Sequence, residues 1–342
     1  MTARNRWVPA HRALAVVLLL AVAAAGCGNQ GSTPGPSSAA VGPIGAGLQA
    51  EFEEIVDRVA PSVVLIQTSD GLGSGVVYDT KGHIVTNAHV VGDETQFMVS
   101  ASDGRQRTAT LVGSFPVDDL AVIRAEGTNL PPATFGDSSQ LDVGTVVLAI
   151  GNPLGLQSSV TEGIISATGR TVVEPGGAAL PNTLQTSAAI NPGNSGGALV
   201  DLTGAVIGIP TLAARDPGMG GAAPGIGFAI PSNTAKEIAR QFVENGKVVS
   251  SHRAYLGIQS AAVRGVRGVL VYSVDERGPA AKAGIKPGEL IVEIDGKPTP
   301  DPAALAAVLA ELRPGQTVKV VLLKSDGSTR EVSVTLGELP SA

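Results

Sequence analysis

Between Ser62 and about Pro231 the chain is a succession of short β-rich runs separated by turns, and no feature limits its fold more. The runs fall at residues 63–67, 75–78, 83–86, 96–100, 109–113, 121–124, 146–150, 163–168, 198–201 and 205–210. Nothing here alternates strands with helices as a parallel sheet would, so an antiparallel all-β domain of barrel type is expected. Gly 44 and Pro 23 against 3% aromatic residues supply the turns that such a domain needs. The length of 342 residues allows two domains with separate cores, and 43% hydrophobic against 16% charged residues is a globular balance. The net charge of -6 gives no reason to expect a nucleic-acid partner.

Different patterns flank this region. Arg4, Arg6 and Arg12 precede an apolar run over 13–25, which has the form of a secretory signal and is too short to span about 30 Å of hydrocarbon as a helix. The single cysteine, Cys27, follows that run directly and excludes an intramolecular disulfide. Residues 28–47 are Gly, Ser, Pro, Ala and Thr without period, the composition of a flexible tether. Phe52, Ile55, Val56 and Val59 recur at helical spacing until Pro61. Beyond a linking helix at 233–244 a smaller α/β unit is expected. Its strands lie near 256–259, 268–274, 290–294, 318–324 and 329–336, with one helix at 303–312 capped by Asp301 and opened by Pro302.

The chemistry is concentrated in Gly193-Asn194-Ser195-Gly196-Gly197. Glycine adopts positive φ cheaply, so such a turn can expose the Ser195 hydroxyl while the Gly193 and Ser195 amides converge as an oxyanion hole. A serine nucleophile needs a base and a group that orients it. Of the 4 histidines, His11 lies in the signal, His252 in the linker and His83 in a turn that reads as solvated. His89 remains, just past a strand. Asp119 abuts the apolar run at 120–123 and is placed to be half buried as the orienting acid, with neighbouring Asp118 as the alternative.

The order His, Asp, Ser matches the chymotrypsin arrangement. The motifs Thr86-Asn-Ala-His-Val-Val91, Asp119-Leu-Ala-Val-Ile123, Gly151-Asn-Pro-Leu-Gly155, Ala189-Ile-Asn-Pro-Gly-Asn-Ser-Gly-Gly197 and Gly225-Ile-Gly-Phe-Ala-Ile-Pro231 together resemble the HtrA (Deg) family of trypsin-like serine endoproteases. The segment from Tyr255-Leu-Gly-Ile258 to Leu336 resembles its PDZ domain, and Ala24-Ala-Gly-Cys27 resembles a bacterial lipobox. The resemblance implies a mainly β chain: a signal at 1–26, a tether at 27–48, a chymotrypsin-like double β-barrel at 49–246 and a PDZ domain at 254–338. It implies Ser195 as nucleophile, His89 as base and Asp119 as orienter, with Gly193 and Ser195 donating to the oxyanion. Ala189 would form the pocket base and Ile190, Phe228, Ala229 and Ile230 its walls, which points to cleavage after small aliphatic residues.

The same resemblance implies that Tyr255, Leu256, Gly257 and Ile258 receive a peptide C-terminus, that Cys27 carries lipid and anchors the protein to the membrane, and that the protease domains form a homotrimer. The expected substrates are unfolded or damaged exported proteins, cleaved without ATP. No metal or cofactor is implied. Two positions depart from the family: Ala198 replaces a common proline, and Ser187 replaces a usual aspartate in the activation region. The glycine- and alanine-rich stretch 211–224 reads as a mobile regulatory loop. Alternatives are a peptide-binding chaperone whose protease domain is largely inactive, and a processing protease with one dedicated substrate.

Overall fold

The apolar runs are nearly continuous because both faces of most barrel strands are buried. The computed structural model describes residues 43–69, 71–101, 104–127, 130–152, 159–173, 179–191, 193–216, 221–263, 265–324 and 326–340. The signal at 1–26, Cys27 and the tether up to residue 42 lie outside them. Helix α1 (Pro43–Val59) leads into β1 (Val63–Gln67), β2 (Leu72–Val77) and β3 (His83–Thr86), and the short α2 (Ala88–Val91) connects to β4 (Gln96–Ser100), β5 (Gln106–Phe115) and β6 (Leu120–Ala125). These six strands close a barrel in the order β1-β2-β3-β6-β5-β4. A second closed barrel, ordered β10-β11-β12-β9-β8-β7, is built from β7 (Val146–Gly151), β8 (Ser159–Val173), β9 (Ala179–Thr186), β10 (Ala198–Asp201), β11 (Val206–Asp216) and β12 (Gly221–Pro231).

The two-residue period of a strand divides the side chains between two cores. Val64, Ile66, Val77, Ile84 and Ile123 fill the first barrel, while Val147, Ala149, Leu199 and Ile207 fill the second. Their neighbours Val63, Val76, Val85 and Val122 meet Leu148, Ile150, Val200 and Ile209 in a core shared by both barrels. Ile55 and Val59 of α1 close that core, as do Ile238 and Phe242 of α3 (Ser232–Asn245).

A PDZ unit follows. Short β13 (Ala254–Tyr255) precedes β14 (Ile258–Ala262) and β15 (Val269–Val274), then α4 (Pro279–Lys282), β16 (Leu290–Ile294) and β17 (Lys297–Pro298). Helix α5 (Pro302–Ala310), β18 (Thr317–Leu323), β19 (Thr329–Thr335) and β20 (Gly337–Glu338) complete it. Its main sheet runs β14-β15-β16-β18-β19, so β14 is an edge. Asp301 caps α5 as expected, its Oδ1 accepting from the Ala304 amide at 2.8 Å. Among the described residues no helix is long and apolar enough to cross a membrane.

The structure departs from the sequence reading in three places. Residues 43–48, assigned to the tether, are helical, since Pro43 opens α1 with the fixed φ that suits a first helical position. Residues 211–216 and 221–224 continue β11 and β12 as a hairpin paired out to Asp216 and Gly221, because backbone pairing outweighs the glycine-rich composition. Strand β9 was not foreseen, since Pro181 and Asn182, the latter at φ 57, interrupt its apolar alternation.

Phe242 lies over Gly113, where an added Cβ would fall 2.0 Å from the ring. Phe242→Ala empties the centre of the shared core and is expected to cost roughly 3–5 kcal/mol, read as a fall in the urea midpoint of unfolding.

Candidate active site

The seam between the barrels brings the sequence-selected residues together. His89 lies in α2 directly after β3, and Asp119 follows a 3-10 turn at Pro116–Asp118. Asp119 is left-handed (φ 50, ψ 42), unusual for a non-glycine residue, and its bonds hold it there. Its carboxylate accepts from the His89 amide at 2.9 Å, lies 2.8 Å from His89 Nδ1 through Oδ2, and accepts from Thr211 Oγ1 at 2.5 Å. Asn87 Nδ2 donates to its carbonyl at 3.0 Å. A carboxylate only accepts, so the proton sits on Nδ1 and the lone pair of the neutral imidazole on Nε2. Asp119 is 2% exposed, whereas the His89 side chain is 47% exposed, so the ring is oriented from below and open above.

The second barrel supplies Ser195 from the turn before β10. Gly193 at φ 103 and Gly196 at φ 79 make that turn possible. The Ser195 hydroxyl donates to the Thr211 carbonyl at 3.0 Å. Thr211 thus touches both sides of the seam, its carbonyl holding the Ser195 hydroxyl and its own hydroxyl holding Asp119. Among the described residues neither the Gly193 nor the Ser195 amide donates to a backbone acceptor, while Asn194, between them, donates to the Asn191 carbonyl at 3.0 Å. Thr211 was missed from sequence. Its signal is slight, a lone hydroxyl between Pro210 and Leu212 at the head of a glycine- and alanine-rich stretch.

The two adjacent carboxylates part company. Asp118, the alternative acid, faces away from His89 and pairs with Arg253 Nη1 at 3.5 Å, while Arg253 Nη2 donates to the Ala179 carbonyl. Arg253 immediately precedes β13. Burial pushes the Asp118 carboxyl above its usual range and the Arg253 guanidinium below its own, and the attraction of each for the other works against both shifts. Desolvation thus dominates this ion pair. His83 also departs from the reading as solvated. Its Nδ1 lies 2.7 Å from Asp79 Oδ2 and its side chain is 9% exposed, because the Asp79 carboxylate folds the turn back by accepting from the Lys81 and His83 amides.

Around the pocket, Ile190 and Ala229 share the core of the second barrel, and an added Cβ at Gly227 would meet Ile190 at 2.5 Å. Alternation along β12 sends Ile230 to the shared core instead, away from Ile190, and leaves Phe228 nearly buried. Ala189 is exposed, its carbonyl accepting from Thr161 Oγ1 at 2.8 Å and Asn194 Nδ2 at 3.3 Å. Ser187 Oγ accepts from the Ile164 amide at 3.0 Å, tying the activation segment to β8.

In the C-terminal unit Tyr255 belongs to β13, Leu256 is buried, Gly257 turns at φ 82 and Ile258 opens the edge strand β14. The carbonyls of Leu256 and Gly257 accept from the Ala280 and Asp275 amides, both at 2.9 Å, whereas their own amides have no backbone acceptor among the described residues. Helix α5 packs beside β14.

Residues 73–209 match the trypsin-like peptidase domain family and residues 254–336 the PDZ domain family. The chain is 39% identical over 315 residues to serine endoprotease DegS of Escherichia coli, covering 85% of this chain and 87% of DegS. The chain belongs to the HtrA (Deg) family. It is a trypsin-like serine endopeptidase with a C-terminal PDZ domain. Serine protease PepD of Mycobacterium tuberculosis is 37% identical to this HtrA protease over 356 residues, covering 93% of this chain and 76% of PepD. The solved structure of the HtrA-type protease AlgW with tripeptide superposes at a TM-score of 0.58 with 38% identity, covering 84% of this chain and 97% of that one.

The buried pair gives this HtrA protease a pH signature. A raised carboxyl binds its proton more tightly in the folded state, so its contribution to stability is complete below the unfolded value near about pH 4 and is lost as pH rises through the folded value. The stability of Asp118→Asn relative to wild type is therefore expected to rise between pH 4 and pH 7 in urea titrations, and a pH-independent difference would contradict the burial argument.

Proposed function

We propose that Ser195 is the nucleophile, with His89 as its base and Asp119 as the residue that orients the imidazole. The observation that carries this reading is the bond between the buried Asp119 carboxylate and His89 Nδ1, with Thr211 joining Asp119 through its hydroxyl and Ser195 through its carbonyl. The hydroxyl swings from the Thr211 carbonyl toward Nε2, attacks the scissile carbonyl and passes its proton to His89, which then protonates the leaving amine. The Gly193 and Ser195 amides receive the oxyanion, and water repeats the cycle on the acyl-enzyme.

The protease domain extends over 43–246, α1 included, and the PDZ domain over 254–338. The substrates are unfolded or damaged exported proteins in the cell envelope. Export rests on the signal-like residues 1–26, and Cys27 carries the lipid that anchors the chain on the outer face of the cytoplasmic membrane. Protease domains associate as a homotrimer. Cleavage falls after small aliphatic residues such as Val or Ala, since Ala189 offers no acid to a Lys or Arg and Ile190 and Ala229 are apolar neighbours. The PDZ edge at Tyr255, Leu256, Gly257 and Ile258 binds apolar C-termini by strand addition, its outward amides receiving the carboxylate.

The Ser195 bond to Thr211 favours one second reading, a chaperone whose protease is held at rest. Comparing wild type with Ser195→Ala on unfolded casein separates the two. Cleavage by wild type alone supports the enzyme, and suppression of aggregation by both without cleavage supports the chaperone. In a peptide library the expected preference is for Val and Ala before the cut, and a majority of cuts after Lys or Arg would overturn the pocket assignment. Amidating the C-terminus of an apolar peptide is expected to weaken its binding at least tenfold, measured by fluorescence anisotropy.

A further inference from the structure

The turn that carries the proposed oxyanion donors is built around glycines, which hold no backbone conformation by themselves. Its rigidity has to come from outside, and one residue of the opposite barrel supplies much of it. Ser74, on β2, is 0% exposed. Its Oγ donates to the Gly193 carbonyl at 2.5 Å and accepts from the Asn152 amide at 2.8 Å. Its amide donates to the Ser195 carbonyl at 2.9 Å, and its own carbonyl accepts from Thr86 Oγ1 at 2.7 Å. Every polar group of Ser74 is engaged, three of its four bonds reach the second barrel, and two of those end on the nucleophile turn.

We propose that Ser74 is a positioning residue that aligns the oxyanion hole from the first barrel. The Gly193 carbonyl belongs to the peptide unit 193–194 and the Ser195 carbonyl to 195–196. Ser74 pins both, so it brackets the 194–195 unit whose N–H is the Ser195 donor. That central unit is held by the Gly197 amide, which donates to the Asn194 carbonyl at 2.9 Å. The seat is tight, since an added Cβ at Gly196 would lie 2.2 Å from the Ser74 carbonyl oxygen. Ser74 touches no reacting atom. It acts by holding the Ser195 amide in its aim, and Gly193 in its place beside it, when charge develops there, so its effect belongs to the transition state and not to substrate binding.

The inference rests on the assignment of Ser195 and Gly193 above, and the test separates the two. Full-length Ser74→Ala and the nearly isosteric Ser74→Cys, whose thiol is a weak hydrogen-bonding group, are compared with wild type on fluorescently labelled casein. Removal of a whole oxyanion donor costs about 10² to 10³ in kcat, so misaligning the pair is expected to lower kcat about 10- to 100-fold in both variants with KM unchanged. Affinity for a peptide boronate ending in boronovaline, whose tetrahedral adduct mimics the transition state, is expected to fall by a similar factor, and the pH midpoint of kcat to stay in place. Activity within twofold of wild type in either folded variant, a loss carried by KM, or a shifted pH midpoint would each overturn the role given to Ser74. Cleavage surviving in Ser195→Ala would instead overturn the nucleophile assignment.

Discussion

Most strands of the two barrels bury both faces, and the shared core that results is the constraint on which the rest of the molecule depends. Val63, Val76, Val85 and Val122 on one side and Leu148, Ile150, Val200 and Ile209 on the other are interior residues only while the barrels are pressed together. The seam is thereby a fixed surface of contact, and polar groups on its rim can be placed against one another with the tolerance of a packed core. Thr211 reaching Asp119 and Ser74 reaching Gly193 are both contacts across that seam, made by residues far apart in the chain.

Asp118 and Asp119 show how backbone conformation can divide labour between neighbours. The left-handed turn at Asp119 points one carboxylate at an imidazole and leaves the other facing the linker that enters the PDZ unit. A single peptide bond thus separates the residue hydrogen-bonded to His89 from the residue that receives Arg253. Helix α5 packs on β8 and β9 of the second barrel, so the PDZ unit is held at two places, by this buried pair and by that helix. The pair is costly to bury and has no closer geometry than 3.5 Å, which makes it a contact sensitive to small displacements of the linker.

Much of this was legible in the sequence because local chemistry and global fold agreed. The apolar runs marked most barrel strands, Asp301 and Pro302 marked α5, and the glycines around Ser195 marked its turn. The residues that escaped are those whose meaning is purely tertiary. Thr211 looks like any strand hydroxyl until Asp119 is beside it, and Arg253 like any linker cation until Asp118 receives it. Ser74 is a small hydroxyl between two glycines just before an expected strand, with nothing local to set it apart, yet it is among the most buried polar residues. Ile230 shows the converse. Its apolar character suited a pocket wall, but strand parity alone decides which face it occupies, and parity turned it to the shared core.

The edge strand β14 is backed by an irregular partner. Its pairing with β15 slips between Gln259 and Ser260, where β15 carries Tyr272 as an extra residue, so the bulge bends the strand behind the edge after only two paired positions, Ile258 and Gln259. That bend, together with the exposed polar Gln259 and Ser260, denies a second β14 a long flat edge, so the open side of this sheet is a poor template for aggregation.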